Sequence, residues 1–411
     1  MSRRERAVLA GLFALALALR AYGAADEREH TGDEPYHVPA AKEYCASGRL
    51  DDTTWSHPPL APLTLCASIA LLGDGPWGWR LRNILFGSLS VVALMLLARE
   101  LFADRPSVAS VAGLLLAIDP LHVLISRSTL EETQAALFFL LAAWLVARHV
   151  RRGARGLVAA GLLLGAAHAT KAYYHVATLL LLVAALAAVR KRGGGPIQLA
   201  HVAIALAIVP AAVYLATYLP WFGRGYGLAD FLSLQWAALQ AVGAKTVDTF
   251  ENGRLLALGG APASWFVRPV AFGVVLPSAP DQLRAIVFTK NPVAWMAVLP
   301  SIAFVSARWR STRSAPDLLL IGLFAGVYLP LLLLRRPIFL YSAVALLPFA
   351  FLAVARAMDL AGERLRAATA TGTALACATA LYLYPVATAR AVPRWAYAPV
   401  AASIAPDRAD R

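Results

Sequence analysis

The sequence predicts an all-α polytopic membrane protein, on the strength of its composition and of its long apolar runs. Of the 411 residues, 59% are hydrophobic and only 15% are charged, whereas a soluble domain averages about 45–50% and about 25%. Uncharged runs recur from residue 7 to residue 388. The three cysteines have no close spacing that would indicate a disulfide framework. Soluble, disordered and disulfide-built classes are therefore excluded.

The apolar runs predict about eleven transmembrane helices, because each is long enough for a hydrocarbon core of about 30 Å. One further run, Leu60–Leu72, begins after Pro58-Pro59 and ends at Gly73. It is short, so we expect a re-entrant or interfacial helix there. The predicted spans are residues 7–25, 82–102, 107–126, 132–150, 154–171, 173–190, 199–220, 291–308, 317–335, 337–358 and 368–388.

The basic residues set the predicted orientation. The net charge of +14 comes from short clusters between the apolar runs, which is typical of topology signals and not of a nucleic-acid-binding face. If residues 60–72 do not span, most clusters fall on the side of Arg3 and Arg4. The N-terminus is then cytoplasmic. Residues 1–411 form a single transmembrane domain with two long outer loops, 26–81 and 221–290.

The first outer loop carries adjacent carboxylates in the sequence His30-Thr-Gly-Asp33-Glu34-Pro-Tyr-His37. A helix starting near Pro35 would keep one of them ionised through its dipole. An ionised carboxylate can serve as the general base for an acceptor hydroxyl. Two alternatives stay open: Asp33 only caps a helix, or His30 and His37 contribute to a metal site.

Several cations are predicted on the same side of the membrane as these carboxylates. Such residues can be lipid anchors, but a group of them is also suited to binding a phosphate and stabilising it as a leaving group. They are Arg80, Arg127, Lys171, Arg268, Arg335 and Arg336.

The ordered series of motifs resembles the polyprenyl-phosphate-dependent glycosyltransferases of the GT-C fold, and within them the protein O-mannosyltransferase family (family 39). The resemblance extends from about residue 20 to residue 358. The early motifs are Asp33-Glu34, His57-Pro-Pro-Leu, Trp79-Arg80 before Leu85-Phe86-Gly87, and Asp119-Pro-Leu-His through Arg127. The later motifs are Gly165 to Lys171, Ser264-Trp265 to Arg268-Pro269, Asn291-Pro292 with Trp295, and Tyr341 to Phe349.

The resemblance implies an inverting displacement from a polyprenyl- or dolichyl-phosphate sugar, with mannose expected, to a Ser or Thr hydroxyl of a protein. Asp33 would accept the hydroxyl proton, with Glu34 as its partner. It implies no metal and no other cofactor. The cations assigned to the lipid phosphate, or to bracing the loop, are Arg80, Arg127, Lys171, Arg335 and Arg336. Supporting roles fall to His57, Glu132, Arg268, Asn291 and Tyr341.

The sequence departs from the family pattern at three places. Glu132 stands where the family often has Asp, five residues after its Arg. Tyr341-Ser342 replaces a His-Tyr pair common in eukaryotic members, and the second outer loop is too short for their β-trefoil domain. A bacterial plasma-membrane enzyme is therefore expected, with its active site on the outer face. Its partners would be membrane lipids, a lipid-linked sugar and a protein or glycan acceptor, and no nucleic acid. Transfer to a glycolipid or cell-envelope polysaccharide stays open, as does a transporter or flippase.

Overall fold

The computed structural model describes residues 1–28, 30–52, 55–244, 262–267, 272–334 and 338–404. The first half of the chain is a series of helices joined by short turns. Their bounds are α1 Arg3–Ala21, α2 Glu34–Ser47, α3 Leu60–Leu72, α4 Pro76–Leu101, α5 Pro106–Ile118, α6 Pro120–Ile125, α7 Glu132–Arg152, α8 Leu157–His168, α9 His175–Lys191 and α10 Pro196–Ala216.

The second half adds further helices and a small antiparallel sheet. The helices are α11 Leu219–Phe222, α12 Leu228–Ala244, α13 Pro292–Thr312, α14 Ala315–Leu333, α15 Leu347–Ala361, α16 Arg366–Ala387 and α17 Ala398–Ile404, with 3-10 turns at Pro262–Ser264, Leu340–Ala345 and Glu363–Leu365. The strands are β1 Phe272–Leu276, β2 Gln282–Phe288 and β3 Val392–Pro393, in the order β1-β2-β3.

Six helices in the described part of the chain are long and apolar enough to cross a membrane: α4, α7, α10, α13, α14 and α16. Helices α3, α5 and α8 are apolar but shorter. The membrane character is thus confirmed, whereas the count of eleven spans stays a prediction. The predicted span 107–126 is divided into α5 and α6 at Asp119. Asp119 has extended backbone dihedrals and caps α6 by accepting a hydrogen bond from the His122 backbone N–H.

The all-α prediction was wrong for residues 272–288, which form the β1–β2 hairpin. Leu283, Ala285 and Val287 on β2 are buried and alternate with more exposed neighbours. This period of two is that of a strand with two different faces. The buried face packs in a cluster with Leu383 and Val386 of α16. The hairpin is therefore fixed to the helical bundle, and its other face is turned toward the cavity described below.

Close packing of the helices depends on small residues. A Cβ atom on Gly161 of α8 would lie 1.8 Å from the Ala205 carbonyl oxygen of α10. On α4, a Cβ atom on Gly87 would lie 2.0 Å from Ser126 Oγ. Small residues let helix backbones approach in this way where lipid gives no hydrophobic driving force. The second contact fixes α4 against the segment that carries Arg127.

Candidate active site

Asp33 stands at the N-cap position of α2, but its side chain makes no capping hydrogen bond. The interpretation that Asp33 only caps a helix is therefore wrong. Its half-buried carboxylate instead lines a cavity of about 400 Å³. The start of α2 thus brings a carboxylate to a cavity and leaves it available for chemistry.

Glu34, the next residue, has a different environment. Arg80 Nε donates to Glu34 Oε1 and Arg80 Nη2 to Glu34 Oε2, both at 2.7 Å. The two side chains are buried, with 0% of Glu34 and 3% of Arg80 exposed. Arg80 Nη1 also donates to the Ala24 and Glu27 carbonyl oxygens at 2.7 and 2.8 Å. This bidentate pair therefore ties the loop before α2 to the start of α4.

The cavity beside Asp33 has a charged part and an apolar part. Its apolar wall includes Leu124 and Ile125 of α6 and Ile286 and Phe288 of β2. Its charged part combines acidic and basic side chains from five separate parts of the chain. These are Asp26, Glu27, Asp33, Arg80, Arg127, Arg284 and Arg390. A cavity of this size and mixed lining is suited to a small polar group attached to an apolar one.

Of the predicted phosphate ligands that the structure describes, Arg80 and Arg127 line this cavity. Arg80 pairs with Glu34, whereas Arg127 forms no salt bridge with a described carboxylate. Its Nη1 donates to the Arg20 and Tyr22 carbonyl oxygens at 2.8 and 2.7 Å. These contacts hold the guanidinium at the end of α1 and leave its positive charge without a salt bridge among the described residues. The planar guanidinium is suited to an oxyanion.

Two further cavity cations were not among the sequence candidates. Arg390 Nη1 lies 2.6 Å from Asp26 Oδ2, and Arg284 contacts Glu27 and donates through Nε to the Ala389 carbonyl oxygen at 3.2 Å. Arg390 follows the last apolar run, so the predicted topology could have identified it as an outer cation. Arg284 carried no such signal, because its position depends on the hairpin.

Lys171 lies in a separate buried cluster. Its Nζ lies 2.9 Å from Glu131 Oε2 and 3.6 Å from Glu132 Oε1. Tyr173 Oη donates to Glu132 Oε1 at 3.1 Å and forms a second hydrogen bond with Ser342 Oγ at 2.9 Å, in which the serine hydroxyl donates. The structure thus gives Lys171 and Glu132 a bracing contact between α7, the turn before α9 and the 3-10 turn at Leu340–Ala345.

The charges in this cluster shift the pKa of Glu131. Burial raises the pKa of Glu131, but the Lys171 ammonium and the nearby His57 and His37 outweigh it and lower the pKa to about 2. Glu131 is therefore ionised at neutral pH.

This shift predicts a pH-dependent stability. The ordinary pKa of Glu is about 4.3, so ionised Glu131 stabilises the fold above that pH and loses this effect as the pH falls from about 4.3 to about 2. We expect Glu131→Gln to lower the free energy of unfolding at neutral pH, with the difference from wild type shrinking through this window. Chemical unfolding in detergent at several pH values measures it. Glu43→Gln, at a half-exposed pair with Arg49, is the control, and a pH-independent difference for Glu131→Gln would contradict the assignment.

The remaining predicted residues have the following places. His57 is half-buried and close enough to Glu131 to lower the pKa of that carboxyl group. Asn291 caps α13 by accepting from the Ala294 N–H, and it donates to the Ala376 carbonyl oxygen at 2.7 Å. Tyr341 stacks on Phe339, with ring centroids 5.3 Å apart. Arg268, Arg335 and Arg336 lie outside the described residues.

The histidines beside the carboxylates contact different partners. The His30 ring lies against Trp79, with centroids 4.2 Å apart, and His37 Nδ1 lies 3.3 Å from the Thr129 carbonyl oxygen. Within the described ranges, no three His, Cys, Asp or Glu side chains are grouped to hold a metal ion.

Comparison with known proteins supports a family assignment. The family model described as dolichyl-phosphate-mannose-protein mannosyltransferase matches residues 56–215. A polyprenol-phosphate-mannose–protein mannosyltransferase of Mycolicibacterium smegmatis is 24% identical over 417 residues, covering 85% of this chain and 80% of the relative. Over these residues the chain resembles the protein O-mannosyltransferases.

Solved structures of GT-C enzymes share the fold of this chain. The Saccharomyces cerevisiae Pmt1–Pmt2 complex bound to its sugar donor matches with a TM-score of 0.76 and 13% identity, over 95% of this chain and 91% of that one. ArnT from Cupriavidus metallidurans bound to undecaprenyl phosphate matches with a TM-score of 0.57 and 18% identity, over 91% of this chain and 64% of that one. The helical bundle thus has the fold that these two structures share.

Proposed function

We propose that this protein transfers mannose from a polyprenyl-phosphate donor to a Ser or Thr hydroxyl of a protein. The observation that carries the proposal is the Asp33 carboxylate, which makes no capping bond and lines a partly apolar cavity with Arg127. The names of the family model and of the curated relatives, both mannosyltransferases acting on proteins, support the donor and the acceptor class.

The reaction is a single displacement. The acceptor oxygen attacks the anomeric carbon of the sugar, the bond from that carbon to the phosphate oxygen breaks, and Asp33 accepts the hydroxyl proton. The products are the glycosylated hydroxyl, with inverted anomeric configuration, and the polyprenyl phosphate. Because charge develops on the departing phosphate, a preorganised cation beside it lowers the barrier. Arg127 is placed to supply that charge.

The other residues have supporting roles in this proposal. Arg80 is fully engaged with Glu34 and two backbone carbonyls, so it holds the loop that presents Asp33. Lys171 is engaged with Glu131 and Glu132 and braces α7 in the same way. The assignment of Arg335 and Arg336 to the donor phosphate rests on their sequence position.

The membrane topology completes the proposal. We place eleven spans in the bilayer, with α3 re-entrant or interfacial, the N-terminus cytoplasmic and the Asp33 cavity at the outer face of a bacterial plasma membrane. The support is the distribution of basic clusters along the sequence. Loops 26–81 and 221–290 then lie on the same side of the membrane, which agrees with the fact that residues of both line the cavity.

The test is product analysis with purified protein. The protein is incubated with polyprenyl-phosphate mannose and either Ser/Thr peptides or glycolipids, and the products are identified by mass spectrometry and anomeric NMR. We expect mannose on a peptide hydroxyl with inverted configuration. Transfer only to a glycolipid would contradict the acceptor class, and a lack of transfer from several polyprenyl-phosphate sugars to any acceptor would contradict the enzymatic function.

A further inference from the structure

Three of the four sides of the β1–β2 hairpin face other parts of the protein. Along one edge, β2 pairs with β3 at Gln282↔Pro393 and Leu283↔Val392. One face packs on α16 and α17, where a Cβ atom on Gly273 would lie 3.2 Å from Ile404 Cγ2. The opposite face, which includes Val274, borders the Asp33 cavity. The outer edge of β1 remains, and no strand within the described ranges pairs with it.

The composition of β1 is unusual for a sheet edge that only meets solvent. The strand reads Phe-Gly-Val-Val-Leu and contains no charged residue and no proline. Val274 and Val275 are 52% and 54% exposed. Edge strands present unpaired N–H and C=O groups, and proteins commonly protect them with Lys, Pro or a bulge. The apolar β1 edge has none of these side chains and is suited to pairing with another extended chain.

The position of this edge connects it to the reaction. Val274 and Leu276 lie on one face of β1 and Val275 lies on the other. Val274 and Leu276 line the cavity that contains the Asp33 carboxylate. Their register partners Ile286 and Arg284 line the same cavity. A chain lying beside β1 would therefore run along the wall of the cavity, and a hydroxyl side chain pointing to that face would project into it.

We propose that the outer edge of β1 binds the acceptor polypeptide as an added antiparallel or parallel strand, so that a Ser or Thr side chain enters the Asp33 cavity. The inference rests on the proposed function and deepens it, because it specifies an extended polypeptide of about five residues as the acceptor. In such strand addition, backbone hydrogen bonds give affinity with little dependence on side chains. The site would thus accept many sequences around the hydroxyl.

The test is an N-methyl scan of an acceptor peptide with a single central Thr. The unmodified peptide and a set methylated at one backbone amide each are compared by kcat/KM, with wild-type protein in lipid nanodiscs. Strand addition predicts a loss of about two- to tenfold at every second amide over one segment, with little change at the amides between. A flat profile, or a loss without a period of two, would overturn the proposal.

A protein variant gives a second test. Val275→Lys introduces an edge charge and should raise KM for the long peptide several-fold while leaving transfer to a single blocked Thr residue unchanged. Val267→Lys, at a site of similar exposure (56%) that belongs to no strand and does not line the cavity, is the control. Absence of transfer even to blocked Thr in the wild type would contradict the proposed function, whereas normal transfer with a flat scan would contradict only the strand addition. The scan uses wild-type protein and so holds if Val275→Lys fails to fold.

Discussion

Asp33→Asn is expected to reduce mannosyl transfer by about a hundred- to ten-thousandfold, the usual contribution of a general base. Asparagine keeps the size of the side chain but cannot accept the hydroxyl proton. Because the Asp33 side chain makes no capping bond, its replacement should leave α2 and the thermal stability unchanged. Donor binding should also persist, since Arg127 and the Glu34–Arg80 pair are untouched.

The measurement is the initial rate of peptide glycosylation, together with binding of polyprenyl-phosphate mannose and thermal unfolding of each variant. Asp26→Asn is the matched control, because Asp26 lines the same cavity but is 59% exposed and pairs with Arg390. Asp26→Asn should retain most of the activity. Near-normal transfer by Asp33→Asn would exclude Asp33 as the base, and equal losses in both variants would indicate a general effect of cavity charge.

Arg80→Ala is expected to be the most destabilising single substitution in the candidate site. It would leave Glu34, which is 0% exposed, as a buried carboxylate without its bidentate partner. Breaking a buried ion pair in this way costs about 3–5 kcal/mol. The Ala24 and Glu27 carbonyl oxygens would lose their donor as well. We therefore expect a lower unfolding temperature and loss of transfer, because the loop that presents Asp33 is no longer held.

Lys42→Ala is the control for this prediction. Lys42 pairs with Asp74 at 2.5 Å, but the two side chains are 52% and 46% exposed, and exposed pairs contribute only about 0–1 kcal/mol. The double variant Arg80→Met, Glu34→Leu should recover part of the stability lost in Arg80→Ala, since it removes both buried charges. Similar stability of Arg80→Ala and Lys42→Ala in detergent would show that the buried pair is not important for the fold.

The sequence was sufficient to predict the membrane class, which the long apolar helices confirm, and to propose the chemical groups of the candidate site, because apolar runs and adjacent carboxylates are local patterns. The sequence could not predict which cation pairs with which carboxylate. The Glu34–Arg80 pair joins residues 46 positions apart, and the Tyr173–Ser342 hydrogen bond joins residues 169 positions apart. Such pairs depend on how the helices pack, which periodicity alone does not specify.

The hairpin was missed for a different reason. Residues 272–288 lie in a loop between apolar runs, and a short strand has a weak signal beside transmembrane helices. Without the hairpin, Arg284 has no predicted place near Asp33. The predicted number of eleven spans is also larger than the number of helices that are long enough to cross a membrane. Helices α5 and α8 are shorter than a typical span, and the window at 107–126 is interrupted by Asp119.

The ion pair between Asp26 and Arg390 joins residues 364 positions apart in the chain. A ribosome adds about 5–20 residues per second, so on the order of 20 to 70 seconds separate the synthesis of the first wall of the cavity from that of the last. During biosynthesis, Asp33 is therefore synthesised long before Arg284 and Arg390. The cavity is therefore incomplete on a nascent chain until the last of the apolar helices and the Arg390 that follows it have been synthesised.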